Sequence, residues 1–378
     1  MCRWGLGFLG AYVVNKSTGS PRLVQLTGAT LWAPLLFAGV IGGTVSDRFA
    51  RRKVLFVQFA VLGPLTLGVG LLAMADRLPL VVLYAYMVTA GFGWVIDMTV
   101  RRAMIYDIVG GQHLNHAMAF EGLSSSLGLA GGAIAGGTLI KVVGAGEAYL
   151  VVAGAMVVAA ILVMLVPADG VKVTPVDAGP KVSFRSEALA GMRSLRTAPA
   201  LVSILGVTAI TNFFHFAYFP IVPIIAERVG ASPFMTGFLA AATGFGMAIG
   251  AMFILIRSPR RGRTYVIGAA GAFLIINGFA LFQSYLPVYL SLLVASSFVG
   301  VFGSTQSVLV MTAADPAMRG RALGLLSMAI GCLPLGMYGL GELAQAFGAP
   351  TALVVANGVG VVALIAFLFW RPQVLSIT

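Results

Sequence analysis

The sequence predicts an all-α polytopic membrane protein whose twelve spans form two six-helix bundles. Of its 378 residues, 59% are hydrophobic and only 10% are charged, and the mean hydropathy is +0.98. Soluble domains carry about 25% charged residues, so this composition excludes an ordinary soluble domain. The apolar residues also come in runs of about twenty, the number that a helix needs to cross a hydrocarbon core of about 30 Å. Both observations indicate a helical bundle in a bilayer.

Twelve apolar runs, numbered as spans 1 to 12, follow one another with polar turns between them. Span 1, at residues 1–15, is only about 20 Å long as a helix, which is too short to cross a bilayer comfortably. A signal peptide is disfavoured because no A-x-A-like cleavage site follows and the next span begins almost at once. Spans 2 to 12 are predicted at residues 22–46, 54–75, 79–105, 114–140, 147–166, 200–226, 233–256, 264–283, 287–313, 321–345 and 350–370.

One long polar segment divides the chain. Residues 167–199 carry eight charged side chains and several prolines and glycines, a composition typical of a linker. We therefore expect an N-terminal six-helix bundle at residues 1–166 and a C-terminal six-helix bundle at residues 200–378.

The basic residues predict the orientation. Eighteen Lys and Arg lie on the linker side of the predicted spans and five on the other, with Arg3 left uncounted at the start. Cytoplasmic loops are enriched in Lys and Arg, so we expect the linker and the C-terminus in the cytoplasm and the spans in the cytoplasmic membrane. The net charge of +12 is spread over these loops, which argues against a nucleic-acid partner.

Enzyme chemistry and cofactors are not expected. Cys2 and Cys332 form no disulfide framework, and the three histidines include no His-x-x-x-His pair for a metal. The chain has no Walker, Rossmann or nucleophile-elbow motif, so direct use of ATP is not expected either.

A charged turn between spans 2 and 3 is the most specific motif in the chain. It has the pattern Gly-x-x-x-Asp-Arg-x-x-Arg-Arg, formed by Gly43, Asp47, Arg48, Arg51 and Arg52. This turn resembles the signature loop of the major facilitator superfamily. The resemblance implies that the loop is cytoplasmic and acts as a latch that holds the two halves of a transporter in one conformation. A basic loop obeying the positive-inside rule explains the arginines but not the acid four residues after a glycine.

Further parts of the chain are similar to the same family. The loop at residues 256–261 repeats Arg-x-x-Arg-Arg without the acid, as second copies of this loop commonly do. Span 1 looks like the outer half of the family's first helix, which leaves a misassigned start or a real truncation open. Residues 131–136 look like an antiporter motif with its proline and one glycine replaced, which weakens the inference of antiport. Residues 101–119 and 315–321 are similar to the drug-efflux branch that contains enterobactin and macrolide exporters.

Glycines spaced by four predict close helix packing. Small residues let backbones approach each other in lipid, and such glycines concentrate on spans 2, 5, 8 and 11, which in this superfamily form the contact between the halves. Chance pairs among 48 glycines remain an alternative. The predicted inter-bundle glycines of spans 5 and 8 are Gly128, Gly132, Gly136, Gly246 and Gly250.

Ionisable residues inside spans mark a candidate substrate or proton pathway, because a charge in a bilayer needs a partner or a function. Asp97 and Arg101 are four residues apart on span 4 and can neutralise each other, either as a structural ion pair or within the pathway. Glu121 lies on the small-residue face of span 5 and is a candidate proton carrier, with an interhelical hydrogen bond as the alternative.

Two polar stripes complete the candidate pathway. Span 7 carries Asn212, His215 and Tyr218 at helical spacing among phenylalanines, and span 10 carries Ser297 and Ser304. Polar stripes in spans must face protein or a water-filled cavity, and spans 1, 4, 7 and 10 line the cavity in the family. A histidine satisfied between helices is the alternative for His215.

Together these features predict a monomeric secondary transporter that exports a small amphipathic molecule, either drug-like or a siderophore, by alternating access. No cofactor is expected, and the proton gradient is the expected energy source. Uptake of a metabolite on the same fold and a truncated, non-transporting scaffold remain open alternatives.

Overall fold

The computed structural model describes residues 2–37, 49–166, 198–257, 261–314 and 319–377, and every regular element within them is helical. The helices of the N-terminal half are Cys2–Thr18, Pro21–Trp32, Ala33–Phe37 (3₁₀), Arg51–Met74, Leu80–Val142 and Ala145–Leu165. Those of the C-terminal half are Pro199–Ile210, Thr211–His215 (π), Phe216–Ile221 (3₁₀), Val222–Arg228, Pro233–Arg257, Arg261–Leu281, Tyr285–Ala313, Arg319–Ile330, Leu333–Phe347, Ala349–Trp370 and Pro372–Ser376 (3₁₀).

The predicted fold class is confirmed. Ten helical segments of the described residues are long and apolar enough to cross a membrane, with mean hydropathies from 1.4 to 2.7. They correspond to spans 3 to 12. Spans 1 and 2 are described as α-helices of 17 and 12 residues. The predicted end of span 2 and nearly all of the predicted linker lie outside the described residues.

Spans 4 and 5 are two membrane-crossing segments as predicted, Leu80–Ile105 and Phe120–Val142, with no break in the helix between them. They belong to one helical run, Leu80–Val142, of 63 residues. On a straight helix, Arg101 and Glu121 would be about 30 Å apart, yet their side chains are 2.9 Å apart. The chain therefore folds back between them, and both spans share one bundle.

Spans 7 and 11 are broken rather than continuous. Span 7 passes through a π-helical and then a 3₁₀ segment before it resumes as an α-helix at Val222. Pro220 and Pro223 lie in this region, and each lacks the N–H that a regular helix requires. Span 11 is interrupted between Ile330 and Leu333. Irregular backbone at membrane depth is tolerated where it is buried in protein or lines a cavity.

The two halves meet through pairs of spans. Span 2 packs against span 11 and span 5 packs against span 8, whereas span 3 with span 6 and span 9 with span 10 pack inside one half. We call the end of the bundle near Leu165 and Pro199 the linker end. The opposite end, near Thr18 and Arg228, is the distal end.

The span 5 glycines do not pack between the halves as predicted. A Cβ on Gly136 would lie 2.9 Å from the ring of Phe8 in span 1, and a Cβ on Gly5 would lie 3.4 Å from the carbonyl oxygen of Gly132. Both glycines therefore face span 1 of their own half. Gly128 lines a cavity instead.

The span 8 glycines do not pack between the halves as predicted either. A Cβ on Gly246 would lie 2.6 Å from Cβ of Ser296, and a Cβ on Gly250 would meet the carbonyl oxygen of Ser297. Both serines belong to span 10, so this glycine face closes the C-terminal half on itself. The sequence pattern indicated close packing but could not identify the partner helix.

Neighbouring glycines make the contact between the halves. A Cβ on Gly137 would lie 2.8 Å from Cα of Gly237, and a Cβ on Gly244 would lie 2.9 Å from Cβ of Ala130. Successive helical residues are rotated by about 100°. Gly137 consequently faces span 8 while Gly136 faces span 1.

Candidate functional site

A cavity of about 570 Å³ lies between the two halves. Its walls include side chains from Trp4 of span 1 to Leu333 of span 11, with contributions from both halves. Trp94 lies about 20 Å along span 4 from the distal end, counting about 1.5 Å per residue from Leu80. Arg102 and Ser124 lie nearer the linker end and are exposed. The cavity thus extends from mid-membrane towards the linker end.

Three tryptophans form the inner part of this cavity. Trp4, Trp32 and Trp94 come from spans 1, 2 and 4, and they are three of the four tryptophans in the chain. The rings of Trp4 and Trp94 meet edge to face at 4.4 Å between centroids, and those of Trp32 and Trp94 are 4.8 Å apart. These separations are typical of favourable aromatic contacts. The cluster provides a rigid aromatic surface.

Four charged side chains form a cluster on the N-terminal wall. Arg101 Nε donates to Asp97 Oδ2 at 3.0 Å, and Arg101 Nη1 donates to Glu121 Oε1 at 2.9 Å. Arg102 Nη2 lies 3.7 Å from the other oxygen of Glu121. Two carboxylates and two guanidiniums make the cluster formally neutral. All four side chains line the cavity.

The structure thus brings the three predicted ionisable residues together. The predicted neutralisation of Asp97 by Arg101 occurs, and Glu121 completes the cluster from span 5. The fold-back between spans 4 and 5 is the cause, since it places residues twenty positions apart within hydrogen-bonding distance. Arg102 was not among the predicted site residues.

The C-terminal wall is uncharged within the described residues. Phe216 and Phe219 of span 7 and Phe302 of span 10 provide its rings, and Asn212 and Gln306 provide side-chain amides. Asn212 Nδ2 donates to a backbone carbonyl of its own helix, that of Thr208, at 2.9 Å. Gln306 Nε2 donates to the hydroxyl of Thr208 at 3.2 Å.

The other predicted residues of span 7 lie behind this wall. His215 is fully buried and packs against the rings of Tyr218 and Phe273, each at 5.5 Å between centroids. The Tyr218 hydroxyl is 3.1 Å from the hydroxyl of Thr243 in span 8. Neither residue lines the cavity, because both lie on a buried face of span 7, whereas Phe216 and Phe219 lie on the cavity face. Asn212 does line it.

The predicted residues of span 10 also lie away from the cavity. Ser297 donates to the carbonyl oxygen of Leu293 at 3.0 Å and packs against span 8. Ser304 is exposed and forms no part of the cavity wall. Span 10 contributes Phe302 and Gln306 instead. Gln306 is the one side-chain amide between Tyr285 and Ala313, and this is the signal that could have identified it.

The predicted latch motif is described only in part. Arg51 Nη1 donates to the carbonyl oxygen of Ala103 at 2.9 Å, and Arg52 Nη1 donates to that of Val166 at 2.9 Å. Both bonds tie the start of span 3 to other spans of the N-terminal half. The remaining three members of the motif lie outside the described residues: Gly43, Asp47 and Arg48.

Ion pairs and a hydrogen bond join the two halves at the distal end. Lys16 Nζ lies 2.8 Å from Glu227 Oε1, and Asn15 Nδ2 donates to Glu227 Oε2 at 2.7 Å. Arg22 Nε lies 3.1 Å from Glu342 Oε1. In each pair the N-terminal half supplies the cation or amide and the C-terminal half supplies the carboxylate. These bonds join the halves beyond the inner end of the cavity.

Comparison with known proteins agrees with this arrangement. The family model of the Major Facilitator Superfamily matches residues 1–333 and again 204–376. The enterobactin exporters EntS of Shigella boydii and Escherichia coli are each 28% identical over 367 residues, which cover 94% of this chain and 85% of theirs.

Solved structures share the fold. A bacterial homologue of the human lysosomal transporter Spinster, in an inward-facing and unoccupied conformation, superposes with a TM-score of 0.76 at 15% identity, covering 98% of this chain and 95% of its own. A mutant of the nucleoside transporter NupG superposes with a TM-score of 0.74 at 16% identity, covering 97% of this chain and 96% of its own.

Proposed function

Because the chain belongs to the Major Facilitator Superfamily, we propose that it exports a small amphipathic molecule from the cytoplasm in exchange for protons. The observation that carries the proposal is the cavity between the halves, with a volume of about 570 Å³. Sites for drug-sized ligands have volumes of about 300–1,000 Å³ and mostly apolar walls with a few polar groups. The walls of aromatic rings, one charged cluster and two amides fit this description.

The bundle ends support alternating access. Polar bonds hold the halves together at the distal end, while the cavity extends towards the linker end. The proposed cycle loads the cavity at the linker end, breaks the distal bonds and releases the substrate there. Both walls belong to one chain, so a monomer suffices.

Export as the direction rests on two observations. The excess of Lys and Arg on the linker side favours a cytoplasmic linker end and a cytoplasmic C-terminus. Enterobactin exporters are among the relatives that match over most of the chain. Loading from the cytoplasm and release at the distal end follow from this orientation.

Proton coupling is proposed at the charged cluster. Glu121 is 8% exposed and shares Arg101 with Asp97, so a local rearrangement changes how well its charge is compensated. A carboxyl group whose surroundings alternate in this way binds and releases a proton. Asp97 and Arg101 complete the proposed proton pathway.

Transport into inverted membrane vesicles tests the function. We expect energised vesicles that contain the protein to accumulate members of a panel of lipophilic antibiotics, dyes and siderophores, and a protonophore to abolish the accumulation. Glu121→Gln keeps the size of the side chain and should reduce gradient-driven accumulation at least tenfold while substrate still equilibrates. Glu147→Gln is the matched control, since Glu147 starts span 6 outside the cavity wall.

Different results would contradict different parts of the proposed function. Accumulation only in right-side-out vesicles would replace export with uptake. No accumulation of any probe in either orientation would contradict a transporter of amphipathic molecules and favour the scaffold alternative. Unchanged driven transport in Glu121→Gln would remove the proton role of this residue alone.

A further inference from the structure

The charged cluster presents its two signs of charge unequally to the cavity. The side chains of Arg101 and Arg102 are 37% and 48% exposed, whereas those of Asp97 and Glu121 are 9% and 6% exposed. The carboxylates are therefore packed beneath the guanidiniums. A ligand in the cavity meets hydrogen-bond donors first.

Both arginines keep donors for a ligand. A guanidinium has five N–H groups, and Arg101 directs Nε to Asp97 and one N–H of Nη1 to Glu121. Its Nη2 forms no hydrogen bond within the described part of the chain. Arg102 lies 3.7 Å from Glu121, which is longer than a hydrogen bond. The free edges can bind two oxygen atoms of one acidic group.

The tryptophan cluster lies within reach of these donors. Trp94 and Arg101 are seven residues apart on the same helix, and both line the cavity. Seven residues are nearly two helical turns and about 10.5 Å along the axis. A molecule of one to three fused or linked rings can therefore stack on the tryptophans while its acidic group contacts the guanidiniums.

The opposite wall does not compete for this acidic group. In the described residues it offers the rings of Phe216, Phe219 and Phe302 and the amides of Asn212 and Gln306, with no carboxylate. Coulomb attraction falls with distance, so an oxygen atom touching a guanidinium is attracted more by it than repelled by the carboxylate behind it. A cation would meet carboxylates that are only 9% and 6% exposed and are already paired with Arg101.

We propose that the cavity binds an aromatic anion, with its rings on the Trp4–Trp32–Trp94 cluster and its acidic oxygens on Arg101 and Arg102. The proposal rests on the proposed export function and names the substrate class of the same site. Asp97 and Glu121 then act as positioning residues that hold Arg101 at the cavity surface. Export of an anion is also favoured by a membrane potential that is negative inside.

Equilibrium binding to purified full-length protein tests this substrate class without requiring transport. The protein is placed in nanodiscs of zwitterionic lipid, and empty nanodiscs correct for partitioning. Calorimetric titrations use four probes that share a two-ring skeleton: 1-naphthoate, 1-naphthamide, 1-naphthylmethylammonium and decalin-1-carboxylate. We expect 1-naphthoate to bind at least tenfold more tightly than each of the other three.

Variants locate the binding groups. Arg102→Gln should weaken 1-naphthoate binding about tenfold, or about 1.4 kcal/mol, and leave 1-naphthamide within twofold. Trp94→Leu should weaken 1-naphthoate and leave decalin-1-carboxylate unchanged. Arg263→Gln is the control, because Arg263 is an exposed arginine at the start of span 9 outside the cavity wall. Thermal unfolding of each variant checks that it folds.

The proposal is overturned if the ammonium probe binds as tightly as the carboxylate, or if Arg102→Gln leaves binding of 1-naphthoate unchanged in a folded protein. Vesicle export with no preference for anions would reject the substrate class and keep the exporter. Tight binding of 1-naphthoate without transport in either vesicle orientation would reject the exporter and keep the site.

Discussion

The two halves of the molecule contribute different chemistry to the cavity between them. The N-terminal half supplies three tryptophans and all four charged side chains of the cavity wall, and the C-terminal half supplies phenylalanines and amides, as far as the described residues show. The charged wall neutralises itself through Arg101. The ion pairs that lie in the cavity therefore stay within one half.

At the distal end both halves supply charged side chains. There the C-terminal half supplies the carboxylates Glu227 and Glu342, and the N-terminal half supplies the cations Lys16 and Arg22. A movement between the halves must therefore break ion pairs at the distal end but not in the cavity. The cavity cluster can move as a unit with its own half, whereas opening the distal end has to separate charges that belong to different halves.

The largest expected effect comes from removing the charge balance of the N-terminal wall. Arg101→Leu leaves two carboxylates, whose side chains are 9% and 6% exposed, without their shared partner, and a buried polar group left unpaired costs about 1–3 kcal/mol, more when it is charged. We expect a lower unfolding temperature and loss of transport. Thermal unfolding in detergent and vesicle transport measure these effects.

Comparing Gln306→Leu with Arg101→Leu shows whether the loss of stability comes from unpaired charge or from altered packing. Gln306→Leu removes a polar group from the C-terminal wall and should change stability by less than about 1.5 kcal/mol, since its bond to Thr208 is one neutral hydrogen bond. Adding Asp97→Asn and Glu121→Gln to Arg101→Leu should restore most of the lost stability. If Gln306→Leu destabilises as much as Arg101→Leu, the contrast between the walls is wrong.

Sequence patterns predicted the helices and the ionisable residues because both depend on local chemistry. Apolar runs and charged turns identify spans, and an acid within a span indicates a partner or a function, as the cluster of Asp97, Arg101 and Glu121 illustrates. The predicted roles of these residues in proton movement remain proposals.

Features that depend on tertiary packing were not predicted. His215 and Tyr218 are buried behind the cavity wall, and the helical spacing of a polar stripe does not tell whether it faces a cavity or a neighbouring helix. The glycine pattern indicated close contacts but not their partners, so Gly246 was assigned to the wrong helix pair. The tryptophan cluster joins three spans that only the fold brings together.

A smaller effect is expected where the halves touch through glycines. The Cβ of Gly137→Ala would lie 2.8 Å from the Cα of Gly237, and backbone cannot yield as a side chain can. Overpacking of this kind costs about 1–3 kcal/mol. We expect spans 5 and 8 to separate, with a lower unfolding temperature and slower transport.

Two further glycines are the controls for this contact. A Cβ on Gly122 meets nothing within 4 Å, so Gly122→Ala should be neutral. Gly136→Ala meets the ring of Phe8 within one half, and its effect should be smaller because the ring can rotate. A larger effect from Gly136→Ala than from Gly137→Ala would contradict the contact between the halves that the structure describes.

The smallest expected effect concerns the distal ion pairs, because they are exposed. The side chains of Lys16 and Glu227 are 52% and 54% exposed, and ion pairs of this kind contribute about 0.2–1 kcal/mol. Glu227→Gln should therefore shift the balance between distal-closed and distal-open molecules by no more than about fivefold. Spin labels at Ser17 and Val229, in a background without the two native cysteines, measure the distance between the halves at this end.

We expect Glu227→Gln to enlarge a minor population of molecules with a longer distance between the labels. High salt should enlarge this population similarly in wild type. The charge-swapped pair, Lys16→Glu with Glu227→Lys, should return it to its original size. The salt and swap arms distinguish charge from shape. If the distance distribution is the same in all four cases, the distal charges do not hold the halves together, and the glycine contact between spans 5 and 8 must do so.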